Sequence, residues 1–235
     1  MGLAIEKTGM QEYMQRFDLN WQSAPQHWDE AAFNGNGRLG IMVRQDVAGG
    51  LRFDIGDTTL YDDKSRIPVG RFVAKPLGEI QSFEMTQSLY LSEINGLIKT
   101  TKGNIIFTCF TDANSDIASI KFIASDDEEL KIELLSQPPI ASNRLFTGVN
   151  KDAAKAGVKK VRDLANPIVA SLIDNLEIVK NLPDRKTQLV DGVNVVDVPF
   201  ARRKRAAFLD SGYFLPWTSV KNGNQTIVSW TIYPY

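Results

Sequence analysis

Short apolar runs separated by turn-forming residues fill the sequence from Leu39 to about Leu135, and this punctuation constrains the fold more than any other feature. The runs are LGIMVRQD, LRFDIGD, GRFVAK, SLYLSEI, GLIKTTKG, NIIFTCF, IASIKFIAS and LKIELL. They are rich in β-branched and aromatic residues, which favour strands. Strands that return at this spacing predict an antiparallel sandwich or barrel, and a mainly β, two-sheet sandwich is the form we expect.

Turn residues between the runs predict where the chain reverses. The tripeptide AGG joins LGIMVRQD to LRFDIGD, and Lys102-Gly103-Asn104 precedes NIIFTCF. In INGLI an Asn95-Gly96 pair stands between apolar neighbours. That pair is typical of a two-residue hairpin turn, so the sequence predicts a hairpin at Asn95-Gly96.

The hydrophobic period changes to that of helices between Lys151 and Pro183. Apolar residues recur there at steps of three and four: Val158, Val161, Ala165, Ile168, Leu172, Leu176 and Val179. Asn166 can cap a second helix and Pro167 can occupy its first position. We therefore expect two helices, at about 152–165 and 167–181, with their apolar stripe packed on the sheet.

Strand-like runs return after this segment in VDGVNVVDVPF, YFLPWTSV and NQTIVSWTIYPY. The sequence thus predicts one β-sandwich domain over residues 1–235, with a helical insertion at about 151–183. A chain of 235 residues can bury a core without a metal or a disulfide. The strand character of the final residues predicts a domain boundary at Tyr235.

The overall charge gives no reason to expect a nucleic-acid or membrane partner. The net charge is −1 and the pI is about 5.9, so no general attraction to polyanions arises. The basic run RRKR at 202–205 is interpreted as a solvated loop. No run of eighteen apolar residues occurs, and Glu6 and Lys7 stand where a signal peptide would keep its apolar stretch.

The single cysteine and the single histidine limit the available chemistry. With only Cys109 and His27, a disulfide within the chain and a cysteine zinc site are excluded, and no metal or cofactor is expected. Cys109 alternates with Ile105 and Phe107, which favours a buried strand cysteine over a nucleophile. His27 is expected in an exposed loop.

The stretch WDEAAFNGNGRLGIMV at 28–43 places Asn36, Gly37 and Gly40 beside Arg38. Such a loop can cradle a phosphate, make a tight turn, or let a sugar ring approach the backbone. A dinucleotide fingerprint follows a strand and opens a helix, whereas these residues precede the strand-like LGIMV. Nucleotide binding is therefore disfavoured, and a structural turn and a sugar-facing loop remain open.

Carboxylates crowd the next segment, FDIGDTTLYDD. They are Asp54, Asp57, Asp62 and Asp63, with Asp29 and Glu30 upstream. Glycosidic hydrolysis requires two carboxylates at a suitable separation, one as acid and one as base or nucleophile. Aspartates also collect at strand ends for local hydrogen bonding. The aromatic residues that could stack on sugars or fill the core are Trp21, Trp28, Tyr61, Trp217 and Trp230.

These motifs, in this order, resemble the opening of the glycoside hydrolase family 95 proteins, with a likeness to family 65. WDEAAFNGNGRLGIMV matches the family's tryptophan and GNGRLGAMV-type stretch, and LRFDIGDTTLYDD matches its N-x-D-TLW segment. RFVAKPLGEIQSF and LYLSEINGLIKTTKGNIIFTCFTDANSDIASIKF continue the match, which covers about residues 20–135. Phe33 and Asn34 replace the family's Pro-Ile, Tyr61 replaces its Trp, and DIGD at 54–57 replaces its LNED.

The resemblance implies a non-catalytic N-terminal β-sandwich. In that family a following (α/α)6 barrel carries out catalysis, and the resemblance implies such a barrel as the partner domain of the same parent protein. It also implies export to the periplasm or the cell exterior. The expected function is therefore to pack against that barrel, with the glycines making a tight loop entry and Arg38 holding nearby carboxylates or carbonyls.

A sharper form of the same hypothesis places residues of this domain at the rim of the barrel's active site, where an oligosaccharide would bind. The candidate rim residues are Trp28, Asn36, Arg38, Asp57, Tyr61 and Asp62, and no catalytic residue is assigned. Two alternatives stay open at this point. One is a free-standing carbohydrate-binding module with exposed aromatics in a line, and the other is a small complete glycosidase that uses an aspartate pair.

Overall fold

A computed structural model describes residues 7–47, 49–62, 65–125, 127–136, 186–190, 193–204 and 207–234. These residues form one α-helix, α1 (Lys7–Gln15), one short 3₁₀ turn (Trp28–Glu30) and seventeen strands. The strands are β1 (Leu19–Trp21), β2 (Ala32–Gly35), β3 (Leu39–Gln45), β4 (Leu51–Asp57), β5 (Tyr61–Asp62), β6 (Ser65–Arg66), β7 (Gly70–Pro76), β8 (Ile80–Ser88), β9 (Glu93–Thr100), β10 (Gly103–Thr111), β11 (Ala118–Ala124), β12 (Leu130–Ser136), β13 (Lys186–Val190), β14 (Val193–Lys204), β15 (Ala207–Asn222), β16 (Gln225–Trp230) and β17 (Tyr233–Pro234).

Two antiparallel sheets make up the first of two compact units, which comprises Met1–Asp57, Gly70–Ser136 and Pro216–Thr231. Its larger sheet has the strand order β1-β8-β9-β10-β11-β16-β15, and its smaller sheet has the order β12-β7-β4-β3-β2. The fold class predicted from the strand pattern, a mainly β protein with two antiparallel sheets, is confirmed.

Aromatic side chains from the two sheets pack against one another to form the core of this unit. Phe53 of β4 meets Phe107 of β10 and Phe122 of β11 edge-on, with ring centroids 5.8 and 5.7 Å apart. The rings of Phe72 of β7 and Trp230 of β16 also pack together, in a tilted arrangement with their centroids 4.9 Å apart. Because edge-to-face rings interlock as well as bury apolar area, these contacts fix how the two sheets stack.

Alternation along β10 places its residues on two faces, as its sequence predicts. Ile105, Phe107 and Cys109 are fully buried, whereas Ile106 is half exposed. Burial raises the pKa of the Cys109 thiol, which keeps it protonated and unreactive. The prediction of a core cysteine is confirmed, and His27 lies in an exposed segment as expected.

The hairpin predicted at Asn95-Gly96 is wrong, because both residues lie inside β9. Gly96 pairs directly with Phe107 of β10, and a Cβ atom at position 96 would overlap the Phe107 ring. Gly96 therefore provides space for an aromatic ring on the neighbouring strand and has no turn to make. The observed reversal between β8 and β9 lies before Glu93, where Ser92 has a φ of 54°.

The second unit comprises Thr58–Val69, Gln137–Leu215 and Ile232–Tyr235. In its described part, β14 lies between β13 and the first half of β15, β17 pairs with β15 at Tyr213 and Phe214, and β5 pairs with β6. The Tyr213 hydroxyl donates to the Val69 carbonyl at 3.4 Å. Among the described residues of this unit, those that are apolar and buried are Leu60, Ile67, Val69, Tyr213, Leu215 and Ile232.

Two further expectations have separate outcomes, and one helix was not predicted. The helices expected at 152–165 and 167–181 lie outside the described residues. The basic run is not a loop over its first three residues, since Arg202 to Lys204 end β14. Helix α1 had no sequence-based prediction, and its Tyr13 ring packs against Phe17 at a centroid distance of 5.3 Å.

Replacing Gly96 by alanine tests the role assigned to it. The added methyl group must displace the Phe107 ring from the aromatic core, and overpacking of this kind costs about 1–3 kcal/mol. We expect Gly96→Ala to lower the free energy of unfolding by that amount in urea denaturation. Gly56→Ala is the matched control, because a Cβ there would come no closer than 3.8 Å to any neighbour. Equal stabilities of the two variants would contradict the assigned role.

Candidate functional site

The glycine-rich loop between β2 and β3 is shaped by its own side chains. The Asn36 carboxamide oxygen accepts hydrogen bonds from the backbone N–H groups of Arg38 and Leu39, at 3.0 and 2.9 Å. Gly37 has a φ of 91°, a conformation that favours glycine. A Cβ at Gly35 would come within 2.7 Å of the Leu39 carbonyl oxygen. The loop is therefore a tight Asx-type turn that leads into β3.

This turn reaches across to the larger sheet through two side chains. The Asn36 amide donates to the Asp112 carbonyl and to the Asp116 carboxylate, both at 2.9 Å. The Arg38 guanidinium binds Asp116 at 2.7 Å and faces Asp57 of β4 at 3.4 Å. We call these five residues, Asn36, Arg38, Asp57, Asp112 and Asp116, the Arg38 clasp. It joins the β2–β3 loop to the β10–β11 loop at one end of the sandwich.

Burial differs strongly between the two carboxylates that face Arg38. The Asp57 side chain is fully buried, whereas those of Arg38 and Asp116 are 28% and 39% exposed. Hydrogen bonds from Arg38 and Asn36 lower the pKa of Asp116. Backbone hydrogen bonds from Asn114 and Ser115 likewise lower the pKa of Asp112. The clasp thus keeps Asp116 charged, the turn after Asp112 keeps Asp112 charged, and Arg38 supplies the charge that opposes buried Asp57.

Strand β2 makes two more bonds to the larger sheet. The Asn34 amide donates to the Ser92 carbonyl, and the Phe33 backbone N–H donates to the Gln87 side-chain oxygen at 3.1 Å. A proline has no N–H to donate. Phe33 and Asn34 therefore each make one cross-sheet hydrogen bond, and a proline at position 33 could not make the first of them.

The aspartates considered as a catalytic pair do not converge on β4. Phe53, Ile55 and Asp57 are buried on its inner face, so Asp54 points to the opposite face, because side chains alternate along a strand. Asp54 is bound by Arg44 at 2.9 Å and also by Arg52. One acid is thus paired on the outer face and the other on the inner face, which opposes their joint use as acid and base.

The six candidate rim residues fall into three places. Asn36, Arg38 and Asp57 belong to the Arg38 clasp. Trp28 lies in the 3₁₀ turn that precedes β2 and is 69% exposed, whereas the clasp follows the other end of β2. Tyr61, which is half exposed, and Asp62 lie in β5 of the second unit. Asp63 lies outside the described residues.

Exposed aromatic rings do not form a line on one face of the first unit, as far as its described residues extend. Phe33 projects from β2 of the smaller sheet, and Phe110 projects from β10 of the larger one. Trp217, considered as a sugar-stacking residue, packs on Phe72 with a centroid distance of 5.5 Å, and Trp230 is buried. A flat sheet-face binding platform therefore has no support from these residues.

A second polar cluster, which we call the Glu128 knot, ties the loops at the opposite end of β10 and β11. The Glu128 carboxylate accepts hydrogen bonds from the backbone N–H groups of Leu77, Gly78 and Glu129 and from the Thr100 hydroxyl. A Cβ at Gly78 would lie 2.8 Å from this carboxylate, so only glycine allows so close an approach. The β7–β8 loop, the end of β9 and the β11–β12 loop therefore meet at one buried acid.

The residues that complete both clusters were not predicted from the sequence. Asp112 and Asp116 lie in TDANSD between two predicted strands, and an Asp-rich turn of this kind signals local hydrogen bonding. Nothing in the sequence indicates that this turn lies beside Arg38, since the two are 78 residues apart. Glu128 carries no sequence signal that distinguishes it from neighbouring acids.

No protein-family model matches this chain, and no curated protein matches it significantly in sequence. The fold and the two clusters therefore define its class, an antiparallel β-sandwich protein with polar ties at both ends of its strands. In the described part of the chain, no helix is long and apolar enough to cross a membrane. The same residues contain no cluster of three or more His, Cys, Asp or Glu placed to hold a metal ion.

Removal of the Arg38 charge tests the clasp. Arg38→Met keeps the apolar stem of the side chain but leaves the buried Asp57 carboxylate without the opposing guanidinium. Removing one partner of a buried ion pair lowers the stability of a protein by about 3 kcal/mol. We expect the free energy of unfolding, measured in urea, to fall by that amount.

Two further variants sharpen this test. Asp116→Asn, at the exposed side of the clasp, should cost much less, because solvent screens the pair it forms. The double variant Arg38→Met/Asp57→Asn should recover part of the loss, since no buried charge remains. A double variant as unstable as the sum of its single changes would contradict an ionic role for the pair.

The Glu128 knot predicts a pH dependence. Burial alone would raise the pKa of Glu128, but the hydrogen bonds from Thr100 and from the Gly78, Leu77 and Glu129 backbone outweigh burial and lower it. A carboxyl whose folded pKa is lowered stabilises the fold above its unfolded pKa, about 4.3, and this contribution disappears as the pH falls through the folded pKa.

We therefore expect Glu128→Gln to be less stable than wild type at neutral pH, with a difference that shrinks as the pH falls below about 4.3. Denaturation series between neutral pH and pH about 3 measure this. Glu129→Gln is the control: it neutralises the adjacent carboxylate, which is 70% exposed, and should follow the wild-type curve. A difference between Glu128→Gln and wild type that does not change with pH would contradict the assignment.

Proposed function

We propose that this chain is a non-catalytic β-sandwich domain of a carbohydrate-active protein, related to the N-terminal domains of glycoside hydrolase family 95. Its function is to pack against a catalytic (α/α)6 barrel of the same parent protein. The support comes from the ordered motifs over about residues 20–135 together with the two-sheet antiparallel fold, which is the architecture that the resemblance implies.

The observation that carries the non-catalytic part of the proposal is the state of the β4 acids. Asp54 and Asp57 lie on opposite faces of the strand, and each faces an arginine. A glycosidase needs one carboxyl group that can donate a proton and a second that faces the same bond. The described acids of β4 do not meet this requirement, so bond cleavage is assigned to the partner domain.

The candidate rim residues with the most structural support lie on the exposed side of the Arg38 clasp. Arg38 and Asn36 are part-buried side chains at the end of the sandwich, and Asp57 lies beneath Arg38 as a positioning residue. A guanidinium held by carboxylates on two sides has a fixed direction. We therefore propose that this end of the sandwich faces the barrel, with Asn36 and Arg38 nearest to its oligosaccharide. Trp28, Tyr61 and Asp62 stay sequence-based candidates for the same role.

Two measurements test this function. The isolated chain should release no p-nitrophenol from a panel of aryl glycosides, because the described acids of β4 do not form a catalytic pair. The locus that encodes this chain should also encode, in the same frame or in a neighbouring gene, a barrel of several hundred residues that co-purifies with it. Aryl glycosidase activity that is lost in Asp54→Asn or Asp62→Asn would instead establish the small-glycosidase alternative. A locus that encodes no such barrel would remove the proposed partner.

A further inference from the structure

A cleft of about 820 Å³ opens at the end of the first unit where β3 finishes and β4 begins. Its walls are the segment after β1, the β3–β4 turn and the start of β8. We call it the Trp21 cleft and define it by Trp21, Gln22, Gln26, Glu30, Gln45 and Gln81. The volume falls within the range of about 300–1,000 Å³ that small-molecule sites occupy. The Arg38 clasp lies at the opposite ends of β3 and β4.

The lining of this cleft mixes polar and apolar groups and carries little charge. Four of the chain's ten glutamines line it, and Ser23 and Ser82 add hydroxyl groups. Glu30 is the only acid among the lining residues, and no lysine or arginine is among them. Carboxamides donate and accept hydrogen bonds at the same time, which matches the hydroxyl groups of a sugar. His27 is the only other titratable lining residue, and because no guanidinium or ammonium group lines the cleft, the cleft is poorly suited to a phosphate or a carboxylate ligand.

Trp21 supplies an apolar surface whose orientation is fixed. Its indole N–H donates to the Glu30 carbonyl at 3.0 Å, and its backbone pairs with Met85 of β8. The polar edge of the ring is thus already satisfied within the protein. What the ring offers a ligand is flat apolar area, which suits the C–H face of a pyranose.

A β-bulge in β8 places Gln81 in the lining of the cleft. The register between β8 and β9 shifts between Ile80 and Ser82, so Gln81 is the extra residue without a cross-strand partner. Bulges are enriched beside binding sites because they redirect one side chain. The facing wall is held by the Gln45 backbone N–H, which donates to the Pro25 carbonyl at 2.8 Å. The wall at the start of β8 is therefore part of a sheet strand, and the segment after β1 is held by one.

We propose that the Trp21 cleft is a binding site for a neutral oligosaccharide. One sugar ring lies against Trp21, and its hydroxyl groups exchange hydrogen bonds with Gln22, Gln45 and Gln81. This site is separate from the clasp end that we assign to the barrel, and binding here requires no catalytic partner. Failure of one proposal therefore leaves the other standing.

Calorimetric titration of the whole chain tests this site. The probes are the neutral hexasaccharides of cellulose, starch, xylan and mannan, with hexagalacturonate as the charged comparison. We expect saturable binding of at least one neutral hexamer and none of hexagalacturonate. Gln22→Ala and Gln81→Ala should each weaken binding about tenfold, the effect of losing roughly one hydrogen bond. Trp21→Ala should abolish binding while the circular dichroism spectrum is retained.

Matched controls lie outside the cleft. Phe33→Ala removes an exposed aromatic ring from β2, and Gln225→Ala removes a glutamine from β16, so both should bind like wild type. If Trp21→Ala does not fold, the two glutamine variants decide the question. The proposal is overturned if no neutral hexamer binds, if hexagalacturonate alone binds, or if the glutamine variants bind as tightly as the controls.

Discussion

The contact of Phe53 with Phe107 and Phe122 is the interaction on which the rest of the first unit depends. It joins the centres of the two sheets, and the rings of both pairs meet edge to face. Phe107 can occupy its place only because Gly96, directly across the ladder, has no side chain. The stacking of the sheets then decides which strand ends meet, and so it places both the Arg38 clasp and the Glu128 knot.

The strands and their faces could be predicted from the sequence, because alternation and turn residues are local signals. The β3–β4 hairpin around AGG and the buried face of β10 are examples. The hairpin prediction at Asn95-Gly96 was wrong for a physical reason. The pair has strong turn chemistry on its own, but packing against Phe107 from another strand outweighs that preference, and short-range reasoning cannot include a ring that arrives through tertiary structure.

Only part of the candidate site could be predicted from the sequence, again because tertiary structure brings distant residues together. The turn at Asn36 and the positive φ at Gly37 follow from residues that are close in sequence. The carboxylates that Arg38 binds come from β4 and from the β10–β11 loop, and their arrival is set by sheet stacking. The Trp21 cleft shows the same limit, because its glutamines come from three separate parts of the chain.

The two ends of β3 and β4 differ in how far their polar groups are engaged by other groups of the protein. At the clasp end, Arg38 and Asn36 are engaged by Asp57, Asp112 and Asp116, so the cluster stabilises the fold. At the cleft end, four glutamines line an open volume, and the Gln45 backbone N–H holds the segment after β1 through the Pro25 carbonyl. Gln45 and Gln81 lie on sheet strands, and carboxamides held in this way are preorganised for a ligand. A neutral ligand with many hydroxyl groups meets that arrangement without requiring any charge to be buried.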